Sequence, residues 1–162
     1  MRRSPVRDLT LAAMVAALYA VLSYFSNIFG LAYGPIQFRF SEALCVLPIF
    51  LPAAIPGLAV GCLLANALTG AVVMDIVLGP VATLAGAVGT WLLRRHPRLA
   101  ILPPILANVI IVPWVLRYGY GMPDAIWYMM LTVGAGEVIS VGILGTALYE
   151  ALRRRSSVLG AR

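Results

Sequence analysis

Long apolar runs, broken only by short polar or proline-rich stretches, set the plan of this chain, and none alternates as a half-buried strand does. The first run predicts a membrane span over 9–29. The stretch that follows, YGPIQFRFS (33–41), is too polar and too broken by Gly34-Pro35 to cross lipid. Two shorter apolar stretches, 42–51 and 55–68, lie on either side of a turn that begins at Pro52 and includes Pro56-Gly57. Further runs predict spans over 75–93, 100–116 and 125–152. Pro103 and Pro104 fall in the first turn of the fifth, where proline is tolerated.

Whether 42–68 crosses once or twice is decided by the arginines. If it doubles back at the proline turn, the N-terminal group (Arg2, Arg3, Arg7), the middle group (Arg94, Arg95, Arg98) and the tail (Arg153, Arg154, Arg155, Arg162) share one side. Only Arg39 and Arg117 of the 12 then lie on the other side, as the positive-inside bias prefers. The expectation is an all-α integral membrane protein, a single domain over 1–162, with six transmembrane helices and both termini cytoplasmic. A shallow or re-entrant hairpin at 42–68 would keep the same parity. A cleaved signal peptide is disfavoured, because no small-x-small site follows the first run.

Composition agrees. Of 162 residues 62% are hydrophobic and 11% charged, against about 25% charged in soluble domains. Continuous runs rich in Ala, Leu and Gly exclude a membrane barrel. The net charge of +6 comes from arginine at span ends, a topology signal and not a nucleic-acid patch. Cys45 and Cys62 sit inside apolar runs as small buried residues without metal-ligand spacing, and His96 lies in a solvated turn.

The informative residues are polar ones inside these runs. Glu137 stands about midway along the last, where a carboxylate costs roughly 2.5–3.5 kcal/mol to insert and so faces a cavity, a partner or a ligand. Gly134 and Ser140 share its helical face and leave room beside it. Asn108 reaches a similar depth on the fifth span and could simply bond Glu137. Asn66, on the third, could equally make a helix–helix bond. Gln37, Arg39, Glu42 and Asp75 gather at the outer rim. Asp75 could cap a helix and Arg39 could pair with Glu42. Together the seven describe a funnel opening outward.

The first span carries Ala12, Ala13, Ala16, Ala17 and Ala20, a smooth stripe suited either to packing within the bundle or to docking of a separate protein. Nothing supports an enzyme: no nucleophile–base pair, metal spacing or serine elbow is present. Without a phosphate-binding loop, and without any lysine, the chain has no nucleotide site of its own. No matched repeats or broken helices mark it as a self-sufficient secondary transporter.

The stretch YGPIQFRFSEALCVLPIFLPAAIPGLAVGCLLAN (Tyr33 to Asn66), with DIVLGPVATL (Asp75 to Leu84) and AGEVI around Glu137, resembles the QueT family. These are substrate-binding membrane subunits (S-components) of energy-coupling-factor (ECF) vitamin transporters, assigned to queuosine precursors. The resemblance implies an S-component bundle in the plasma membrane of a prokaryote, loaded from outside. Its small residues on the first helix would touch a coupling transmembrane subunit. Two cytoplasmic ATPases would use the ATP, so the chain itself would need no cofactor.

The implied substrate is a 7-deazaguanine, the 7-aminomethyl form first and the cyano form second. Its guanine edge suits a bidentate carboxylate, its carbonyl an amide such as Asn66 or Asn108, and its ring an aromatic face. Glu137 is expected at one end of the ligand and Glu42 or Asp75 at the other. Tyr33, Phe38, Phe40 and Trp127 are the possible faces or lids. Another vitamin or purine, or a structural subunit in which Glu137 and Asn108 merely pair, are the alternatives.

Overall fold

A computed structural model describes residues 5–30 and 37–155; Tyr33, Arg2, Arg3 and Arg162, invoked above, lie outside them. The described chain is all-helical. Helix α1 is Pro5–Ile28, followed by a 3₁₀ helix, Phe40–Ile49, and then α2, Ala54–Leu68, and α3, Val73–Leu92. Helix α4, Leu102–Trp114, runs on through a π-helical turn, Val115–Gly119. Helix α5, Ile126–Glu137, continues as a π segment, Val138–Gly145, into α6, Thr146–Arg154.

Four rods are long and apolar enough to cross a membrane: Pro5–Ile28, Val73–Leu92, Leu102–Gly119 and Ile126–Arg154. They follow the predicted runs closely: Pro103 and Pro104 fall in the first turn of α4, and Pro80 and Pro113 lie inside α3 and α4 without ending their rods. The two short stretches are as short as their apolar runs suggested. Phe40–Ile49 has 10 residues wound as a 3₁₀ helix, which at about 2.0 Å per residue gives roughly 20 Å. Helix α2 has 15 residues, roughly 22 Å at the α-helical rise. Both fall short of the approximately 30 Å hydrocarbon core. A 3₁₀ run of this length is unusual. Here it is enclosed by the bundle, with Ser41 through Val46 all buried, and tied to α1 at its start. The Ser26 hydroxyl accepts from the Phe40 N–H at 2.9 Å and Ser23 bonds Ser41 at 2.7 Å.

The core forms where α1, α2 and the 3₁₀ helix meet, around Val15, Tyr19, Leu44, Leu58 and Cys62. Cys45 and Cys62 are free thiols buried in it. The small-residue stripe of α1 divides here. A Cβ on Gly57 would meet the Ala12 carbonyl oxygen at 2.6 Å, and one on Gly61 would meet that of Ala16 at 2.9 Å. Ala12 and Ala16 therefore serve packing inside the bundle, and Ala20 lies against the core. Ala13 and Ala17 point outward and stay exposed. The outer faces of the long helices carry bare Val77, Leu84, Leu106, Ile110, Leu131 and Ile143, as surfaces facing lipid do.

Candidate functional site

Polar side chains from six helices converge inside the bundle. Glu42, in the first turn of the 3₁₀ helix, is only 3% exposed. Its Oε1 accepts from the Tyr19 hydroxyl of α1. Residues three apart eclipse in a 3₁₀ helix, which brings the Cys45 thiol to donate to Glu42 Oε2 at 3.2 Å. From α4, the buried Asn108 amide donates to Glu137 Oε1 at 2.9 Å and, more loosely, to Glu42 Oε2 at 3.5 Å. Asn108 thus bridges two carboxylates. The bond between Asn108 and Glu137 that depth alone suggested does form, but it uses one oxygen only. Glu137 is 8% exposed, and its Oε2 is buried with no donor among the described residues. A void of about 20 Å³ adjoins Glu42, Asn108 and Glu137, with Gln37, Arg39, Val112 and Val133 completing its wall.

Toward the end of the bundle where α1 finishes, a larger cavity of about 220 Å³ opens. Asp75 holds its polar side. The Tyr120 hydroxyl donates to Asp75 Oδ2 at 3.0 Å, and the Asn66 amide donates to the Asp75 backbone oxygen at 2.9 Å and to Oδ1 at 3.4 Å. Arg39 completes the cluster through an ion pair with Asp75 at 3.8 Å. Two expectations are corrected here. Arg39 pairs with Asp75 and not with Glu42. Asp75 does not cap α3: Val72 holds that position without a side-chain bond, and Asp75 sits one turn in. Burial pushes the Tyr120 phenol up to about 12, helped by the Asp75 charge and its hydrogen bond, so the hydroxyl remains a donor. Val112, Val115, Leu116 and Met122 form an apolar wall, and Asn27 Oδ1 is buried without a donor among the described residues. Gln37, Arg39 and Val112 line both cavities, which therefore adjoin one another.

Of the residues the sequence nominated, Glu137, Asn108, Glu42, Arg39 and Gln37 line the deep void, and Asn66 and Asp75 join Arg39 and Gln37 around the outer cavity. Trp127 is not among them. It is 66% exposed at the start of α5 and packs edge-on against Tyr128 at 6.1 Å. Phe38 and Phe40 pack against each other, 4.8 Å apart. The structure adds Tyr19, Ser23, Asn27 and Tyr120. The first three carried a signal: with Ser26 they form a polar face at helical spacing along an apolar run. Tyr120 carried none, since its contact with Asp75 joins residues 45 apart in a loop and a helix.

A lipid-exposed helical bundle that encloses a buried, carboxylate-lined chamber is the architecture of a membrane protein with an internal site for a small polar group. The chain belongs to the QueT transporter family, which it matches over residues 9–154. Its long apolar helices make it a multi-pass membrane protein of that family. It is 37% identical over 84 residues to the queuosine precursor transporter QueT of Lactococcus lactis subsp. cremoris (strain MG1363), a stretch covering 52% of this chain and 49% of that relative. The match thus spans about half the length of the curated relative. No solved structure matches the chain.

Proposed function

We propose that this chain is the substrate-binding subunit (S-component) of an ECF-type importer and that its cargo is a queuosine precursor of the 7-deazaguanine class. The observation that carries the proposal is Glu137, buried in the bundle with one oxygen free of protein donors and a void beside it. A carboxylate kept so in an apolar span is a ligand group in waiting. The outer cavity of 220 Å³ is below the roughly 300–1,000 Å³ of drug-sized sites. It is of a size with one bicyclic heterocycle. Arg39 and the two asparagines suit its carbonyl, and the apolar wall at Val112 and Leu116 suits its ring.

The cavity lies at the end of the bundle formed by the end of α1, the α2–α3 turn and the α4–α5 loop. Arg94, Arg95 and Arg98, like Arg153 to Arg155, lie at the opposite ends of their helices. With the arginine-rich end cytoplasmic, both termini are inside, the chamber faces outward, and the 3₁₀ helix with α2 completes six passes as a short hairpin in one domain over 1–162. Loaded subunit then meets a coupling transmembrane subunit through Ala13 and Ala17, and two cytoplasmic ATPases supply the ATP that this chain has no loop to bind. The setting is the plasma membrane of a prokaryote.

Calorimetric titration of the purified protein with 7-aminomethyl-7-deazaguanine tests the assignment. Saturable binding is expected, with rejection of thiamine and biotin in competition. Absence of binding to any 7-deazaguanine would exclude this cargo.

A further inference from the structure

The two cavities differ in a way that orients the ligand. Three buried side-chain oxygens lack a donor among the described residues; one belongs to Glu137, which lines the deep void, and another to Asn27, which lines the outer cavity. The deep void, at about 20 Å³, holds one water-sized group and no more. A ring cannot enter it. Its chemistry is also one-sided. Glu42 and Glu137 both border it, bridged by Asn108, and the groups bonded to them are neutral donors: the Tyr19 hydroxyl, the Cys45 thiol and the Asn108 amide. Arg39, the cation in its wall, has its ion pair with Asp75. The outer cluster is therefore balanced, one acid against one guanidinium, whereas the inner one sets two acids side by side with no cation among the described residues bonded to either.

We propose that the void between Glu42 and Glu137 is a socket for a primary ammonium group, and that the ligand lies with this group innermost and its ring in the outer cavity. An ammonium is the size of a water and presents three N–H donors. Glu137 Oε2 takes one, Glu42 Oε2 a second, and Gln37, in the same wall, stands ready for the third. Charge-assisted bonds in such surroundings are about twice as strong as neutral ones. The ring then rests on Val112 and Leu116, with its own N–H edge toward Asn27 Oδ1 and the Asp75 cluster. This orientation rests on the chain being a binding subunit for 7-deazaguanines, and it adds that the site selects among them by charge. The guanine edge meets the outer residues; the inner acids read the 7-substituent.

The test is a titration of the full chain in nanodiscs with 7-aminomethyl-, 7-cyano- and 7-methyl-7-deazaguanine. Wild type should bind the aminomethyl compound about 100-fold more tightly than the two neutral ones. Glu137→Gln and Glu42→Gln should each shrink that gap by about tenfold. Asn27→Ala should weaken all three compounds by a similar factor and leave the gap in place. Equal affinity of wild type for the aminomethyl and cyano forms would overturn the socket while the transport assignment stands, and needs no variant to fold. A loss in Glu137→Gln and Glu42→Gln that is the same for charged and neutral compounds would overturn it too. If none of the three binds, the cargo itself is wrong and the socket falls with it.

Discussion

The Gln37 carbonyl oxygen lies against the Cα of Gly136, so close that a Cβ on Gly136 would collide with it. The segment that carries Arg39 and leads into the 3₁₀ helix is thereby seated directly on α5, one residue before Glu137. The rim and the floor of the chamber are joined backbone to backbone, and only glycine permits it. Gly136→Ala must push Gln37 away, at a cost of about 1–3 kcal/mol. A lower unfolding temperature in detergent is expected, together with weakened ligand binding. An unchanged unfolding temperature would mean that the segment is not held there.

Asn108 bridges the two inner acids, so its removal is felt beyond one lost bond. In Asn108→Ala, Glu137 keeps no donor at either oxygen among the described residues, and Glu42 loses its weaker partner. Leaving buried polar groups unpaired costs about 1–3 kcal/mol and more for charged ones. Thr132→Ala, which removes only a local bond to the Met129 carbonyl, should cost well under half as much. Thermal unfolding of the two variants side by side makes the comparison.

The divided alanine stripe separates packing from docking. Gly61→Val must drive a side chain into Tyr19 and Ala16, so it should destabilise the isolated protein by about 1–3 kcal/mol. Ala17→Leu adds bulk on an exposed face and should leave both stability and ligand binding within error. If Ala17 meets the coupling subunit, that same variant should lose most cellular uptake. Uptake at the wild-type rate would remove this face from the docking surface.

Tyr120 gives the chamber an alkaline limit. Its phenol titrates near 12 when folded against an ordinary value of 10.0, so the folded chain holds that proton more tightly than the unfolded one does. The associated stabilisation is present below about pH 10 and is lost as pH rises through about 12. Tyr120→Phe should lower the unfolding temperature at neutral pH, where this contribution is present in full, and remove this part of its decline between pH 9 and 12. Identical alkaline profiles would show that the bond to Asp75 does not set the titration.

Much of the chamber was legible because buried polarity is expensive. Glu137, Asn108, Asn66 and Asp75 each stand inside or at the edge of an apolar run, and such groups find one another or a ligand. Trp127 misled for the opposite reason: an aromatic at a span end suits the membrane interface as well as it suits a pocket. The alanines announced close approach without naming the partner, and Gly57 and Gly61 turned out to supply it for Ala12 and Ala16. The winding of 40–49 was not readable at all, since a short, mostly apolar stretch looks alike whether its bonds run three or four residues back. Tertiary ties from Ser23 and Ser26 decide it.

That winding has a consequence for how the sequence can change. With three residues to each turn, Glu42, Cys45 and Pro48 stand in single file down one edge of the segment. Inserting or deleting one residue would swing that file by a third of a revolution and aim the carboxylate at the wall of the bundle. Between Phe40 and Ile49 the residue count itself is under constraint.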